Sequence, residues 1–232
     1  MIGFIQTGGG YSLVECELRL LKKAVSNRYD YYHLLSGMCF PIKSMEQIKK
    51  FFSLNSGVNY IHYDDDKKSK SRLERIDYYM FFQDIKPRGR SVLSVIQRIT
   101  IILQKIVGIK RTRNSPYVFK SGSQWWSITH ECAMFLINKE ADIKRCFKYT
   151  MCDEMFVQTM VYNSELKNTL PKRSEKENYE WNLREIDWNR GTPYTYTSDD
   201  FNMLVNSPNL FARKFDERLD FEIIRKVSSY IH

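Results

Sequence analysis

The chain has 232 residues and a formal net charge of +9 at pH 7, from 36 Lys and Arg against 27 Asp and Glu. Hydrophobic residues make up 43% and aromatic residues 14%, a balance that excludes intrinsic disorder, a collagen-like fibre and a coiled coil. No stretch reaches the roughly 18 consecutive apolar residues of a membrane span, and the first residues lack the pattern of a secretory signal. This composition predicts one globular domain, over residues 1–232.

Hydrophobic periodicity and turn residues predict alternating helices and strands along the chain. A helix is predicted over 12–25, with Ser12 and Glu15 as a capping box at its start. The further predicted elements, in chain order, are a strand at 31–35, a capped helix at 44–52, strands at 58–63 and 77–83, a basic helix within 88–113, a strand at 124–129, helices at 130–147 and 155–162, a polar loop at 171–180, a strand at 181–186, a helix capped near Ser198 and a helix from Leu219. Because strands alternate with helices, we expect an α/β fold with a central, mostly parallel sheet flanked by helices.

Residues 88–113 combine seven Lys or Arg side chains with an apolar set at helical spacing, and they contain no acid. A basic amphipathic helix of this kind can lie on an anionic membrane surface, which predicts a peripheral membrane contact. The alternative is an ordinary helix whose apolar face packs on the core. We expect no nucleic-acid partner, because the chain has none of the common nucleic-acid-binding signatures.

The metal-binding side chains show no recognised ligand spacing. Five cysteines, without CxxC pairs, predict reduced thiols in the cytoplasm, and the four histidines fit neither a zinc finger nor an HExxH site. Asp64 and Asp66 can chelate one divalent ion as a DxD pair. Since three lysines follow within four residues, the alternative is an exposed charged turn, and we expect no metal.

Three runs of sequence point to a family. They are LLSGMCFPIKS at 34–44, SGSQWWSITHE at 121–131 with CDEMFVQTMVYNS at 152–164, and NRGTPYTYTSDDFNMLVNSPNLFARKFD at 189–216. In this order and spacing they resemble the core-2/I-branching glycosyltransferase family, which joins β-1,6-N-acetylglucosaminyltransferases and peptide O-xylosyltransferases. The resemblance implies a variant of the GT-A nucleotide-sugar fold. It also implies an inverting, metal-independent transfer of N-acetylglucosamine or xylose from a UDP-sugar to a hydroxyl of a glycan or peptide, without a cofactor.

The resemblance places the general base at Glu154, in the run Asp153-Glu154-Met155-Phe156. The chemistry agrees, because an inverting transfer needs one carboxylate to take the proton of the attacking hydroxyl. The alternative is that Asp153 and Glu154 only place negative charge at a helix N-terminus. The resemblance further implies that Arg190 and Lys214 neutralise the departing diphosphate, as a metal ion would.

The acceptor side is less well defined by the sequence. Trp125 can offer an aromatic platform to a sugar ring, although a tryptophan in a strand is more often part of the core. Arg72 and Glu185 lie near the family's acceptor-contacting positions, where Glu185 replaces an expected aromatic residue. Cys39 stands where the family has Asp, and the family's opening βαβ segment precedes the first residue here, so we expect an N-terminally truncated domain. The alternative function is a non-catalytic carbohydrate-binding or scaffold remnant of the same fold.

Overall fold

The computed structural model describes residues 10–83, 92–171 and 179–232. Its helices are α1 (Tyr11–Ala24), α2 (Met45–Leu54), α3 (Asp66–Arg72), α4 (Glu74–Asp77), α5 (Val92–Ile106), α6 (His130–Asn138), α7 (Glu140–Phe147), α8 (Phe156–Tyr162), α9 (Phe201–Asn206) and α10 (Phe221–Ile231). Its strands are β1 (Tyr31–His33), β2 (Cys39–Pro41), β3 (Tyr60–Ile61), β4 (Trp126–Thr129), β5 (Arg184–Ile186) and β6 (Phe211–Arg213).

The chain divides into two compact units, each built from separate segments. The first, here called the helical unit, combines residues 1–30, 63–124 and 130–168, and it holds α1 and α3 to α8. The second, the sheet unit, combines residues 31–62, 125–129 and 169–232, and it holds all the described strands with α2, α9 and α10. The segments of the two units alternate along the chain, so the prediction of one domain stays a prediction.

The predicted helix starts are partly right. At α2, the Ser44 hydroxyl accepts the N–H of Gln47 at 3.2 Å and the Gln47 side chain accepts the N–H of Ser44 at 2.9 Å, which confirms the predicted cap. The predicted capping box of Ser12 and Glu15 is wrong. Because α1 begins at Tyr11, with Gly10 as its N-cap, Ser12 lies inside the first turn rather than before it.

Several predicted boundaries also change. The strand predicted at 58–63 shortens to Tyr60–Ile61, and the strand predicted at 77–83 is wrong, because α4 ends at Asp77 and turns follow it. The helix predicted over 130–147 divides at Lys139 into α6 and α7. Most of the loop predicted at 171–180 lies outside the described residues.

The sheet unit contains two three-stranded sheets, in the orders β1-β4-β3 and β2-β6-β5. Three of the four described pairings are antiparallel, and β5 with β6 is parallel. The expected central, mostly parallel sheet is therefore not what the described strands form. Parallel neighbours are usually joined by a single crossover helix. The segment 63–124 between β3 and β4 instead forms several helices of the helical unit.

Each unit has a buried apolar core. In the helical unit, α1 buries the side chains at positions 14, 18 and 21, which recur at helical spacing, and α1 packs on α6. Two clusters form the core of the sheet unit. They are Ile42, Tyr196, Leu204, Ala212, Phe215, Ile223 and Val227, and Ile48, Phe52, Tyr60, Leu183, Leu210 and Phe211.

All five cysteines are free thiols. Within the described ranges, no helix combines the length and apolar composition needed to cross a membrane.

A buried arginine joins strands of the sheet unit. Arg184 has no solvent exposure, and its guanidinium donates to the carbonyls of Leu34, Trp126 and Asn182 and to the hydroxyl of Ser127. These partners are neutral, so the charge is held by peptide dipoles and by the ring of Phe211 beneath it at 4.9 Å. Nothing in the sequence pattern distinguished this arginine from a surface one.

Candidate active site

Glu154 lies in the turn that leads into α8. The N–H groups of Met155 and Phe156 both bond to the carbonyl of Cys152, at 2.9 and 3.1 Å, and these three side chains are fully buried. The Glu154 carbonyl accepts the N–H of Gly122 at 2.9 Å. The turn is thus anchored by its buried neighbours and by a distant backbone contact, while the Glu154 side chain stays partly exposed.

Two guanidinium groups bind one oxygen of the Glu154 carboxylate. Arg75 Nη1 lies 2.5 Å and Arg72 Nη1 lies 3.0 Å from Oε2. These are charge-assisted hydrogen bonds, which are stronger and more directional than neutral ones. Among the described residues, no donor bonds to the other oxygen, Oε1. The arrangement fixes the carboxylate through one oxygen and leaves the second available to accept a proton.

A buried aspartate lies behind this pair. Asp64, whose side chain is 1% exposed, contacts Arg72 Nη1 at 3.2 Å and Lys68 Nζ at 2.7 Å, and it accepts the Ser121 hydroxyl at 2.6 Å. Burial raises the pKa of Asp64, but the hydrogen bonds from Lys68 and Ser121 and the charge of Arg72 outweigh it, so its pKa lies below the ordinary value. We call Asp64, Lys68, Arg72, Arg75, Ser121 and Glu154 the Glu154 cluster.

The Asp64-Asp65-Asp66 run is not a simple exposed turn. Asp65 caps α3 by accepting the N–H of Lys68 at 2.6 Å, and Asp66, 75% exposed, pairs with Lys120 at 2.5 Å. Asp64 differs from both because it is buried, so the exposed-turn alternative is wrong for this residue. Over the part of the chain that the structure describes, no three His, Cys, Asp or Glu side chains form a metal-binding group. The expected absence of a metal stays a prediction.

Asp153, next to Glu154, has a different environment. Burial and the charge of Glu154 raise its pKa from 3.8 to about 6. The burial of Asp153 could not be read from the sequence, where Asp153 and Glu154 are simply an acidic pair.

In the sheet unit, two carboxylates and a tyrosine ring fix Arg190. Its Nε lies 2.5 Å from Asp187 and its Nη1 lies 2.7 Å from Asp200, and its guanidinium sits 4.0 Å from the ring centre of Tyr194. The hydrogen bonds to Asp187 and Asp200 hold the pKa of Arg190 above its ordinary value. Because a guanidinium has five N–H groups, the Nη2 amine remains for a further anion.

The backbone of Lys214 is bonded to the segment that contains Tyr194. The N–H of Lys214 bonds to the carbonyl of Tyr194 at 3.3 Å, and the carbonyl of Lys214 accepts the N–H of Tyr196 at 2.9 Å. In the described residues its ammonium group has no acidic partner. The structure therefore places Arg190 and Lys214, 24 positions apart by number, on adjoining backbone segments.

The three residues assigned to the acceptor lie in different settings. Trp125 is buried, and the guanidinium of Arg213 lies 4.4 Å from its ring centre, which favours the core alternative over a sugar platform. Glu185 accepts hydrogen bonds from Ser207 at 2.7 Å and Asn209 at 3.0 Å within the sheet unit. The third assigned residue, Arg72, is a member of the Glu154 cluster.

Comparison with known proteins identifies the family. The sequence model of the core-2/I-branching enzyme matches residues 6–207. A xylosyltransferase of Ciona intestinalis is 24% identical, in an alignment that covers 93% of this chain and 25% of the relative. Xylosyltransferase 2 of Rattus norvegicus and of Homo sapiens are 24% and 23% identical, in alignments that cover 97% of this chain and 26% of each relative. The chain spans about a quarter of the length of these curated relatives. Since the family model covers most of its residues, the chain belongs to the core-2/I-branching enzyme family.

Proposed function

We propose that the chain is an inverting glycosyltransferase that moves a sugar from a UDP-sugar to a hydroxyl of a glycan or peptide acceptor, without a metal ion. Its family membership and the names of its relatives support the transferase class. The observation that carries the mechanism is the carboxylate of Glu154, with one oxygen held by Arg72 and Arg75 and the other open to a proton.

In this mechanism Glu154 is the general base. Its Oε1 takes the proton of the acceptor hydroxyl while the hydroxyl oxygen attacks the anomeric carbon from the face opposite the leaving group. The bond from that carbon to the phosphate oxygen breaks, and its electron pair leaves with UDP. The two guanidiniums on Oε2 keep the carboxylate in one orientation, which lowers the entropic cost of reaching the reactive geometry.

Arg190 and Lys214 supply the positive charge for the leaving diphosphate. Guanidinium groups bind phosphate oxygens through paired N–H groups, and ammonium groups bind them as point charges. The support is that Arg190 is held rigidly by Asp187, Asp200 and Tyr194, so its Nη2 is pre-positioned. Fixed donors stabilise developing negative charge without reorganising during the reaction.

The donor sugar remains a choice between two. The relatives named xylosyltransferase favour xylose, and the family resemblance keeps N-acetylglucosamine as the alternative. The release of UDP from UDP-xylose and from UDP-N-acetylglucosamine, measured with glycan and peptide acceptors, decides between them.

The test of the function is Glu154→Gln, which keeps the shape and the arginine contacts but cannot accept the proton. We expect the transfer rate to fall by ~10²–10⁴ while UDP affinity stays within a few-fold of wild type. Glu165→Gln, an exposed change in the same unit, is the matched control and should leave both unchanged. Normal turnover by Glu154→Gln would remove Glu154 from the mechanism.

A non-catalytic remnant of the fold makes a different prediction. It would bind neither UDP nor a UDP-sugar. Glu154→Gln and Glu165→Gln would then change neither UDP binding nor transfer, because the wild type would show neither. Calorimetric titration of the wild-type chain with UDP separates the two functions before any acceptor is known.

A further inference from the structure

The helix α5 is turned with its polar face inward. Gln97 and Gln104, one heptad apart, are each 7% exposed. Seven of its nine apolar side chains are instead exposed, with values between 39% and 76%; they are Val92, Val95, Ile96, Ile99, Ile102, Leu103 and Ile106. The other two, Leu93 and Ile101, are partly buried. The alternative that this apolar face packs on the core is therefore wrong.

The buried glutamines explain this orientation. Gln104 accepts the N–H of Tyr79 at 2.7 Å and donates to its carbonyl at 3.1 Å. Gln97 donates to the same carbonyl at 3.2 Å and accepts the N–H of Phe82 at 3.1 Å. Glutamine side chains of α5 thus bond to the backbone of the turns after α4, in place of the hydrogen bonds that a neighbouring strand would supply. These polar contacts fix which face of α5 is buried, and the apolar face is exposed.

That face is continuous rather than scattered. Positions 92, 95, 96, 99, 102, 103 and 106 recur at intervals of three and four, which places them on one stripe of a helix. Single exposed apolar residues are ordinary, but a contiguous exposed apolar stripe marks a binding surface.

The charges around the stripe are positive. Between 92 and 113 the chain has five basic residues and no acid. Arg98 and Lys105, seven positions apart, lie along one flank of the stripe. Lys105 contacts Glu74 at 3.5 Å, a pair of exposed groups that contributes little. Lys110 contacts the buried carboxylate of Asp77 at 3.6 Å. Arg111 lies over the ring of Tyr79 and donates to the carbonyl of Arg145. Arg98, Lys105 and Arg113 are exposed, and they give the surface its preference for an anionic partner.

We propose that α5 and residues 107–113 form a peripheral binding site for an anionic lipid surface, with the apolar stripe buried at the headgroup boundary and the basic residues on lipid phosphates. An amphipathic helix with this division of faces lies in the plane of the interface, and basic residues near an anionic leaflet add electrostatic attraction. A second copy of the chain fits less well, because pairing two stripes would bring their Arg98 and Lys105 side chains together. This inference goes beyond the proposed transfer reaction and does not depend on it.

The test is flotation of the whole chain with lipid vesicles. We expect binding to vesicles that contain phosphatidylglycerol, much weaker binding to phosphatidylcholine alone, and a decrease in high salt because surface charges are then screened. The double variant Ile99→Asp, Ile102→Asp should lower the partition coefficient at least about tenfold, since each change removes an apolar side chain that lipid binding would bury. Arg98→Glu should lower binding to anionic vesicles several-fold and leave binding to neutral ones unchanged.

The matched control is Leu20→Asp on α1. Leu20 is 58% exposed and Ile102 is 56% exposed, so both changes add an acid at an open helical site. Thermal unfolding by circular dichroism checks that all variants are folded. Binding by the double variant equal to wild type, or no binding of wild type to anionic vesicles, would overturn the proposal. So would sedimentation equilibrium showing a dimer that the double variant dissociates and that does not bind lipid.

Discussion

Asp64 and Glu154 bind the same nitrogen atom, Nη1 of Arg72, at 3.2 and 3.0 Å. The two acids are 90 positions apart by number, yet one buried and one partly exposed carboxylate share a single cation. Lys68 and Ser121 hold Asp64 in turn. Residues that support a reactive side chain in this way restrict its geometry without touching the substrate.

In the proposed reaction, Asp64 is thus a positioning residue for Arg72 and, through it, for Glu154. In Asp64→Asn the amide keeps the shape but removes the charge that faces Arg72 and Lys68. We expect kcat to fall about tenfold with the KM for the UDP-sugar unchanged, and the free energy of unfolding to drop by about 1–3 kcal/mol. Steady-state kinetics and urea denaturation measure the two effects.

Asp66→Asn is the control for that change. Asp66 is 75% exposed and pairs with Lys120, so its loss should cost less than about 1 kcal/mol and leave kcat unchanged. If Asp64 and Asp66 instead chelated a metal ion, both variants would be inactive. Equal inactivation of the two would therefore contradict the positioning role.

The stability of the helical unit should depend on pH through Asp153. Because burial and Glu154 raise its pKa to about 6, the folded state binds the proton more tightly than the unfolded state. Its contribution is favourable at low pH and is lost as the pH rises from about 4 to about 6. Asp153→Asn should then raise the free energy of unfolding at pH 7 by about 3 kcal/mol, with a gain of less than about 1 kcal/mol near pH 4. Urea denaturation at the two pH values checks this, and an equal gain at both would rule out titration as the cause.

Local signals in the sequence predicted local structure well. The Ser44 cap of α2 and the strand at Tyr31 depend on residues within a few positions, so their signals are visible in the chain. The strand predicted at 77–83 failed because its aromatic run, Tyr78 to Phe82, pairs with no described strand. Its backbone is satisfied by glutamine side chains from α5 instead, a long-range solution that no local pattern encodes.

The candidate site also combines a part that local sequence predicts with long-range contacts that it does not predict. The position of Glu154 follows from a short motif, but its partners Arg72 and Arg75 lie far away in the sequence and in a region that resembles the family only loosely. The orientation of α5 was also beyond the sequence, since an amphipathic pattern defines two faces without stating which one is inside. Two buried glutamines decide it.

Arg184 gives a prediction that concerns stability alone. Its four hydrogen-bond acceptors lie in the sheet unit. Removing the guanidinium takes a donor from each of them, although the carbonyl of Trp126 keeps the N–H of Leu34 at 3.0 Å. Arg184→Met should lower the free energy of unfolding by about 3 kcal/mol or more, because each unsatisfied buried group costs roughly 1–3 kcal/mol. Arg225→Met, which removes a surface contact to Glu222, should change it by less than about 1 kcal/mol. Similar losses in both variants would mean that Arg184 is not a key contact.

The last prediction concerns Arg190 and Lys214 as the substitute for a metal ion. If both bind the diphosphate, transfer should persist in EDTA, and Lys214→Ala should weaken UDP binding about tenfold or more, as the loss of a charge-assisted hydrogen bond does. Lys226→Ala, which removes an exposed lysine on α10, is the control.

Arg190→Ala also frees Asp187 and Asp200, so Arg190→Lys, which keeps a charge there, should recover part of the affinity. The double variant should lose less than the sum of the two single losses, because both groups neutralise one shared charge. Calorimetry with UDP and an activity assay with chelator measure these effects. Activity that EDTA abolishes and manganese restores would overturn the metal-free mechanism.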